Sequence, residues 1–173
     1  QSGRRQRQMC IRDRPKLDVK GFECVRRDFA PIVSKTQKKV FVLLCEKNDV
    51  NGAVQYARQT VVDLLEGRTP LDDLILSKQL TRPPEQYKNP QPHVELAKYL
   101  QKTLPPTQAP KTGDRIDFII KPGRGKTFTR AASPDDVREG RCSIDYEWYL
   151  ANQLKEPLTR VFEMIIDNTP DIF

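Results

Sequence analysis

The residues with the clearest chemical meaning lie between Lys20 and Asp28, immediately before a long helical pattern. Lys20, Arg26 and Arg27 place positive charge just before that helix. Gly21 has no side chain, so a ligand can approach the neighbouring backbone closely. Backbone amides and guanidinium groups together suit the phosphates of a polyanion. The stretch therefore predicts phosphate contact, and the alternative from these residues alone is a solvated basic turn.

A second candidate phosphate site is Gly123–Thr127, which reads Gly-Arg-Gly-Lys-Thr. A phosphate-binding loop of the nucleotide-hydrolysing type needs a glycine five positions before Gly125, and Ile120 stands there. Such a loop also opens a helix, whereas the residues that follow here have the pattern of a strand. A hairpin turn is the better interpretation, although Arg124 and Lys126 could still touch a phosphate.

Two acidic pairs, Asp72–Asp73 and Asp135–Asp136, raise the question of a metal site. Both stand where a short helix is expected to begin, and a negative charge there interacts favourably with the positive end of the helix dipole. Helix capping is therefore preferred, and no metal site is predicted.

The cysteines and the one histidine do not form a recognisable site. The four cysteines stand at positions 10, 24, 45 and 142 with no Cys-x-x-Cys pair, so no zinc set has a familiar spacing. Scattered thiols of this kind are typical of small buried hydrophobes in a reducing compartment. His93, next to Pro92, is predicted to be a structural hydrogen-bonding residue. No nucleophile–base pair or carboxylate cluster is present, so no catalytic residue is assigned.

The positive charge of the chain is unevenly placed. The net charge is +7, and residues 1–14 hold five arginines against one aspartate. Residues 16–48 contain eight Lys and Arg against four Asp and Glu, so cations also cluster at the entrance to the first helix. Clustering of this kind favours a nucleic-acid partner. No apolar stretch reaches 18 residues, so no membrane partner is expected.

Helical spacing of apolar residues predicts two helices that pack as an antiparallel hairpin. The first follows Asp28, which stands where an N-cap is expected, and reaches about Glu46. The second is capped by Asp49 and stopped by Gly67. Further elements are expected as an extended segment at 75–78, a helix at 91–102, a strand at 115–120 paired with 127–130, and a last helix at 145–166. Pro157 should kink or split that last helix.

Several segments, in order along the chain, resemble the C-terminal palm edge and the thumb of B-family DNA polymerases, of the delta-like replicative or large-DNA-virus type. The Lys20–Asp28 stretch is similar to the family's Lys-Gly-x-Glu-x-Val-Arg-Arg-Asp segment that closes the palm. The other matching segments are DVNGAVQYARQTVVDLLEG at 49–67, similar to the family's second thumb helix, ILSKQLTR at 75–82, PHVELA at 92–97, GDRIDFII at 113–120 and IDYEWYLANQLKEPLTRVFE at 144–163. The resemblance covers residues 16–173 and implies an α+β fold: a mainly helical thumb with a small antiparallel β ribbon.

The resemblance implies that the chain binds the backbone of a primer–template duplex during DNA replication. The residues it favours for DNA contact are Lys20, Arg26, Arg27, Lys35, Lys78, Thr81, Arg82 and Tyr87. Tyr87 could equally pack against the helix that carries His93. The parent enzyme would be a DNA-directed DNA polymerase, a nucleotidyltransferase that uses Mg²⁺. Its palm, accessory subunits and a sliding clamp would be partners, in the nucleus or at a viral replication site.

The departures from the family pattern are also informative. The metal-binding aspartate motifs Asp-x-x-Ser-Leu-Tyr-Pro and Tyr-Gly-Asp-Thr-Asp-Ser do not occur. A polymerase fragment that is inactive alone, with no bound cofactor, is therefore expected. The expected divisions are a non-native or disordered basic leader at 1–14, resembling an adapter-derived peptide, a palm edge at 15–30 and a thumb at 31–173. The alternative is a self-standing DNA-binding or protein-interaction module without an enzymatic parent.

Overall fold

The fold begins with a helical hairpin. The computed structural model describes residues 29–166 and 172–173, in which α1 (Pro31–Cys45) and α2 (Val50–Leu65) are joined by a short link. Asn48 in that link has a φ of 52°, a left-handed conformation that asparagine tolerates better than most residues. The predicted antiparallel hairpin is confirmed.

Both ends of α2 are fixed by local hydrogen bonds, as the sequence predicts. The Gly52 N–H donates to the Asp49 carboxylate at 2.8 Å, which satisfies one of the free amides of the first turn. At the other end, Gly67 has a φ of 73°, and the Arg68 N–H donates to the Asp63 carbonyl at 2.8 Å. This glycine-terminated arrangement satisfies carbonyls that the helix itself leaves free.

The predicted start of α1 is wrong. The N-cap position is held by Ala30, and no side chain among the described residues, which do not include Asp28, caps this helix. Pro31 occupies the first turn, where its missing N–H costs nothing and its fixed φ suits a helix. The Ala30 N–H instead donates to the Gln153 side-chain carbonyl at 3.0 Å, a bond to a segment far away in sequence.

The hairpin packs on the last helical part of the chain. Helix α1 contributes Ile32, Val33, Val40 and Leu44 to the core, and α2 contributes Leu64. Fully burying one such aliphatic side chain is worth roughly 1.5–3 kcal/mol. Gln37 is also buried, and its amide donates to the carbonyl of Pro157 at 3.2 Å.

Three short strands form an antiparallel sheet in the order β1 (Leu76–Gln79), β2 (Arg115–Ile120) and β3 (Ala131–Ala132). Leu76 lies opposite Phe118, and Ile119 lies opposite Ala132. The predicted strand at 115–120 and the extended segment at 75–78 are confirmed. The fold class is therefore α+β, mainly helical, as predicted.

The predicted pairing of β2 with residues 127–130 is wrong. Residues Thr127–Arg130 form a 3₁₀ helix, and the pairing strand follows directly after it. The Lys126 carbonyl accepts from the Thr129 N–H at 3.0 Å and from the Thr129 hydroxyl at 2.7 Å. Because both Thr129 donors are used locally, pairing reaches this segment only at its last residue, where the Arg130 carbonyl accepts from the Lys121 N–H at 2.9 Å.

Helix α3 (Pro92–Thr103) packs against β2, and the apolar side chains between them form the part of the core that lies next to the sheet. Val94, Leu96 and Ala97 are buried together with Phe118 and Ile119. The two regions form one continuous cluster of buried side chains.

The last helical segment is divided, as the sequence predicts. Helix α4 (Pro134–Arg138) precedes it, and the segment itself consists of α5 (Tyr146–Tyr149), a π-helical turn at Leu150–Leu154 and α6 (Lys155–Ile165). Pro157 lies in the first turn of α6 and has no N–H to donate back into the preceding turn. The wider π turn lies directly before it, where the regular ladder is interrupted.

Asp145 joins the sheet to this helical segment. Its N–H donates to the Ile120 carbonyl at 2.9 Å, and its carboxylate accepts from the Trp148 N–H at 3.0 Å, capping α5. The same carboxylate pairs with Arg130 at 2.7 Å, and both side chains are mostly buried. One residue therefore makes a strand contact, a helix cap and a partly buried ion pair.

Among the described helices, none is long and apolar enough to cross a membrane.

We predict that Asp145→Ala lowers the free energy of unfolding of the full 173-residue chain by about 2–3 kcal/mol, because it removes a cap and leaves Arg130 without its carboxylate. Asp49→Ala, which removes only a cap, is the matched control and should cost about 1 kcal/mol. Urea unfolding measures both changes. Equal losses in the two variants would contradict a special role for Asp145.

Candidate nucleic-acid interface

Two of the basic residues predicted to contact DNA, Lys78 and Arg82, lie where the chain leaves strand β1. The Leu80 N–H still donates to the Asp114 carbonyl at 2.8 Å, which extends the ladder by one residue. Pro83 and Pro84 then prevent further pairing because neither has an N–H. Thr81 and Arg82 lie between, and both are exposed; the chain bends at Arg82 and is not the continuously extended segment that was predicted.

Tyr87 holds this exposed segment in place. Its hydroxyl accepts from the Thr81 N–H at 3.0 Å and lies 3.1 Å from the Thr81 hydroxyl. The Arg82 guanidinium carbon lies 5.1 Å from the centroid of the Tyr87 ring, within range of a cation–π interaction. The bonds from Thr81 lower the pKa of Tyr87 from its ordinary value of 10.0. Thr81, Arg82 and Tyr87 are called the Tyr87 clasp below.

The clasp is attached to the core through His93. The Tyr87 and His93 ring centroids are 5.9 Å apart at 89°, and the His93 ring stacks on Phe118 with centroids 6.5 Å apart. The packing of Tyr87 against the His93 helix, one of the two predicted alternatives, is therefore observed. The side chain of His93 is 3% exposed, and its Nδ1 has no hydrogen-bond partner among the described residues.

Lys78 lies beside this ring stack. It is opposite Ile116 in the β1–β2 register, on the same face as Leu76 and Phe118, and is half-buried. Burial lowers the pKa of His93, and the nearby charge of Lys78 lowers it further. A lysine in this position can rest its alkyl chain on the apolar face and keep the ammonium group in water.

Sequence reasoning missed Arg115, which lies on the other face of the sheet. Its guanidinium donates to the Ser77 hydroxyl at 3.1 Å and to the Ser77 carbonyl at 2.8 Å. The alternation of residues 115–118 placed Arg115 on the polar side of its strand. Only the register with β1, which puts it opposite Gln79, shows that it joins the basic end of that strand.

Lys35 is not part of the Tyr87 clasp. It is exposed on α1 and pairs with Asp73, and the hydrogen bond to that carboxylate raises the pKa of Lys35. The structure thus brings Lys78, Thr81, Arg82 and Tyr87 together and gives Lys35 a separate position. The other three candidates, Lys20, Arg26 and Arg27, lie outside the described residues.

The acidic pairs form ion pairs instead of a metal site. Asp72 pairs with Arg138 at 3.3 Å and Asp135 with the same arginine at 2.8 Å, while Asp136 pairs with Arg141 at 3.1 Å. These aspartates lie in first helical turns as predicted, but the N-cap positions belong to Pro70 and Ser133. Within residues 29–166 and 172–173 no three His, Cys, Asp or Glu side chains are grouped to hold a metal ion.

The sequence matches the family model described as DNA polymerase family B over residues 4–165. It is 40% identical over 155 residues to the DNA polymerase delta catalytic subunit of Oryza sativa subsp. japonica, covering 88% of this chain and 14% of that protein. The corresponding subunit of Drosophila melanogaster is 39% identical over 160 residues, covering 91% of this chain and 14% of that protein. The chain thus spans about one seventh of the length of these relatives.

A solved structure supports the fold. The family B DNA polymerase from the hyperthermophilic archaeon Pyrobaculum calidifontis superposes with a TM-score of 0.63 at 24% identity. The superposition covers 81% of this chain and 18% of that one.

We predict that Tyr87→Phe costs about 1 kcal/mol of stability, because the Thr81 N–H loses its acceptor while the ring contacts remain. Tyr87→Ala, which also removes the contacts with His93 and Arg82, should cost more. Thermal unfolding compares the two. A Phe variant as stable as the wild type would contradict a structural role for the hydroxyl.

We predict a pH dependence that arises from His93, the only histidine in the chain. The pKa of His93 in the folded state lies below the ordinary value of 6.5. Between these two pKa values the imidazole is protonated in the unfolded chain but not in the folded chain. The contribution of neutral His93 to the free energy of unfolding is fully present above pH 6.5. It is lost as the pH falls through the folded-state pKa, and the free energy of unfolding then changes by up to about 1.4 kcal/mol per pH unit.

The measurement is urea unfolding between pH 7 and pH 5 of the wild type and of His93→Phe, which keeps a stacked ring. Carboxylates titrate in both proteins, so the difference between their slopes isolates the histidine. Parallel curves would show that His93 does not titrate in this way.

Proposed function

The chain belongs to DNA polymerase family B, and we propose that it forms the thumb, with residues 15–30 as the adjoining palm edge, of a delta-type replicative polymerase. Because the chain spans only about one seventh of its relatives, the activity of the whole enzyme is part of the proposal. That activity is DNA-directed nucleotidyl transfer to a primer. The role of this portion is to hold the primer–template duplex.

The observation that carries the proposal is the placement of Arg82. It is exposed at the point where the chain leaves the sheet, its guanidinium group lies over the Tyr87 ring, and the Tyr87 hydroxyl holds the backbone of the preceding residue, Thr81. A cation held in advance loses less conformational freedom when it meets a phosphate. An interface that must move along any sequence requires such contacts to phosphate and sugar.

Neighbouring groups extend the proposed interface. Lys78 supplies a second positive charge at the same end of β1, and the exposed hydroxyl of Thr81 can donate to a phosphate oxygen when it turns away from Tyr87. Arg115 adds a third cation across the sheet. Lys20, Arg26, Arg27 and Lys35 are retained as proposed contacts, and Lys35 would have to exchange Asp73 for a phosphate.

Magnesium is proposed for the parent enzyme and not for the described part of this chain. Polymerase chemistry uses two such ions to activate the attacking hydroxyl and to stabilise the leaving group. The described residues do not fit that task, because Asp72, Asp73, Asp135 and Asp136 are all paired with cations. The metal ligands would belong to other parts of the enzyme.

The proposed partners follow from the same assignment. They are the duplex, the palm and, in the complete enzyme, accessory subunits and a sliding clamp. The delta-type relatives favour a nuclear enzyme, and a viral replication site is the alternative. A self-standing module without an enzymatic parent is less favoured, because the relatives that match about nine tenths of the chain are polymerase catalytic subunits.

We predict that the full chain binds duplex DNA and that Arg82→Ala lowers the slope of log K against log salt by about one unit, equally on duplexes of different sequence. Lys78→Ala should act similarly. Fluorescence anisotropy at several salt concentrations measures the slopes. Lys47→Ala removes an equal exposed charge from the link between α1 and α2 and is the control.

A loss that depends strongly on the DNA sequence would contradict backbone contact. An unchanged slope for Arg82→Ala and Lys78→Ala would exclude the end of β1 as the interface. Arg82→Lys keeps the charge but not the planar guanidinium, so it separates charge from the stacking on Tyr87.

A further inference from the structure

A groove between α3 and the β2–β3 connection lies apart from the Tyr87 clasp. It encloses a cavity of about 440 Å³. Its lining combines aromatic, small apolar and charged side chains, and the members that matter here are Glu95, Tyr99, Lys121, Phe128 and Asp136. None of them takes part in the proposed duplex interface.

The aromatic side chains of the groove are accessible. Tyr99 is 59% exposed, although it belongs to a helix whose opposite face packs into the core, and Phe128 is half-buried. Together they give the groove two aromatic rings on different elements, α3 and the 3₁₀ helix. Exposed aromatic area that lines a cavity is a common property of binding sites.

The charged residues that line the groove are Glu95, Asp136 and Lys121, and only Lys121 has no ion-pair partner among the described residues. Glu95 pairs with Lys98 at 3.2 Å, and Asp136 pairs with Arg141 at 3.1 Å, so both acids are neutralised locally. Two further exposed cations, Arg124 and Lys126, follow Lys121 on the same connection beside the groove, and they too form no ion pair with any described residue.

These cations lie on a connection that is closed at its base. The Lys121 N–H donates to the Arg130 carbonyl at 2.9 Å, and Arg130 is itself held by Asp145. The Lys126 ammonium lies 6.0 Å from the centroid of the Phe128 ring. The charge of Lys126 therefore lies next to an aromatic ring that lines the groove.

We propose that this groove binds single-stranded nucleic acid. Unpaired bases would stack on Tyr99 and Phe128, and the phosphates between them would meet Lys121, Arg124 and Lys126. Aromatic platforms combined with a positive track are the general solution for binding single strands without sequence preference. A duplex does not fit this chemistry because its bases are already stacked inside the helix, and an uncharged apolar peptide would leave the cations without partners.

The binding step has a predictable dependence on each group. Loss of one stacking platform should weaken binding about tenfold. Loss of three phosphate contacts should lower the salt slope by about two units, because each contact on a single strand contributes about 0.7. Neither change should affect the duplex interface, which uses other residues.

The test measures binding of the full chain to labelled oligo-dT, oligo-rU and a duplex by anisotropy. Tyr99→Ala should weaken single-strand binding about tenfold, and Tyr99→Phe should preserve it, because the ring is what stacks. The combined variant Lys121→Ala, Arg124→Ala and Lys126→Ala should show the lower salt slope. Tyr99 and the three cations are exposed, and circular dichroism confirms that each variant is folded.

Selectivity separates this proposal from the duplex interface. Arg82→Ala should weaken duplex binding and leave oligo-dT binding intact, with Tyr99→Ala doing the reverse. If the chain does not bind duplex DNA but Tyr99→Ala still reduces oligo-dT binding, the proposed duplex-holding function is wrong and the proposal of single-strand binding in the groove is supported. Preference for oligo-dT or oligo-rU identifies the natural strand, and either preference supports the proposal.

Three results would overturn it. One is oligonucleotide binding that is unchanged by Tyr99→Ala. Another is an equal effect of Tyr99→Ala on duplex and single strands, which would indicate one shared surface. The third is poly-glutamate competing as well as oligo-dT, since charge alone would then account for the affinity.

Discussion

The partly buried pair of Arg130 and Asp145 is the interaction on which the arrangement of this domain depends. Asp145 is bonded at once to the end of β2, to the first turn of α5 and to the residue before β3. The apolar contacts between the sheet and the divided helix are non-directional. A charge-assisted bond with a fixed geometry gives these elements one orientation. Both surfaces proposed for nucleic acid are built on the sheet that this pair fixes.

The basic end of β1 shows how ordinary chain chemistry can produce an interface. Two prolines end the ladder, so Thr81 and Arg82 have to leave the sheet, and a tyrosine then satisfies the amide that the ladder no longer pairs. The ring of that tyrosine continues through His93 to Phe118 in the core. The exposed cation is thereby connected to the buried core by a short series of ring contacts.

Local signals in the sequence were sufficient for much of the fold. Asp49, Gly67 and Pro157 act within one turn of their own positions, and each produced the structure its chemistry predicts. Asp28 was chosen as a cap from residue type alone, while Pro31 and the distant Gln153 determined where α1 begins. The strand that pairs with β2 is predicted at 127–130 but lies at 131–132. Threonine is common in strands, and the sequence does not show that the Thr129 hydroxyl bonds the carbonyl of its own turn.

The sequence predicted which residues belong to the candidate site better than it predicted how those residues contact one another. Arg82 and Tyr87 were identified through a family resemblance, but no spacing rule shows that one stacks on the other. Arg115 depends on strand register, and the cavity beside Tyr99 depends on how α3 lies against the sheet. Such features join residues far apart in sequence, and a single sequence gives no measure of distance between them.

The sheet has two outer strands, and their form has a consequence for the behaviour of the protein in solution. Strand β3 contains two residues and β1 contains four, with a lysine in its length and a proline pair shortly after its end. Short edges that carry charge and proline offer little template for pairing with another chain. The two edges should therefore give the isolated chain little tendency to associate edge to edge in solution.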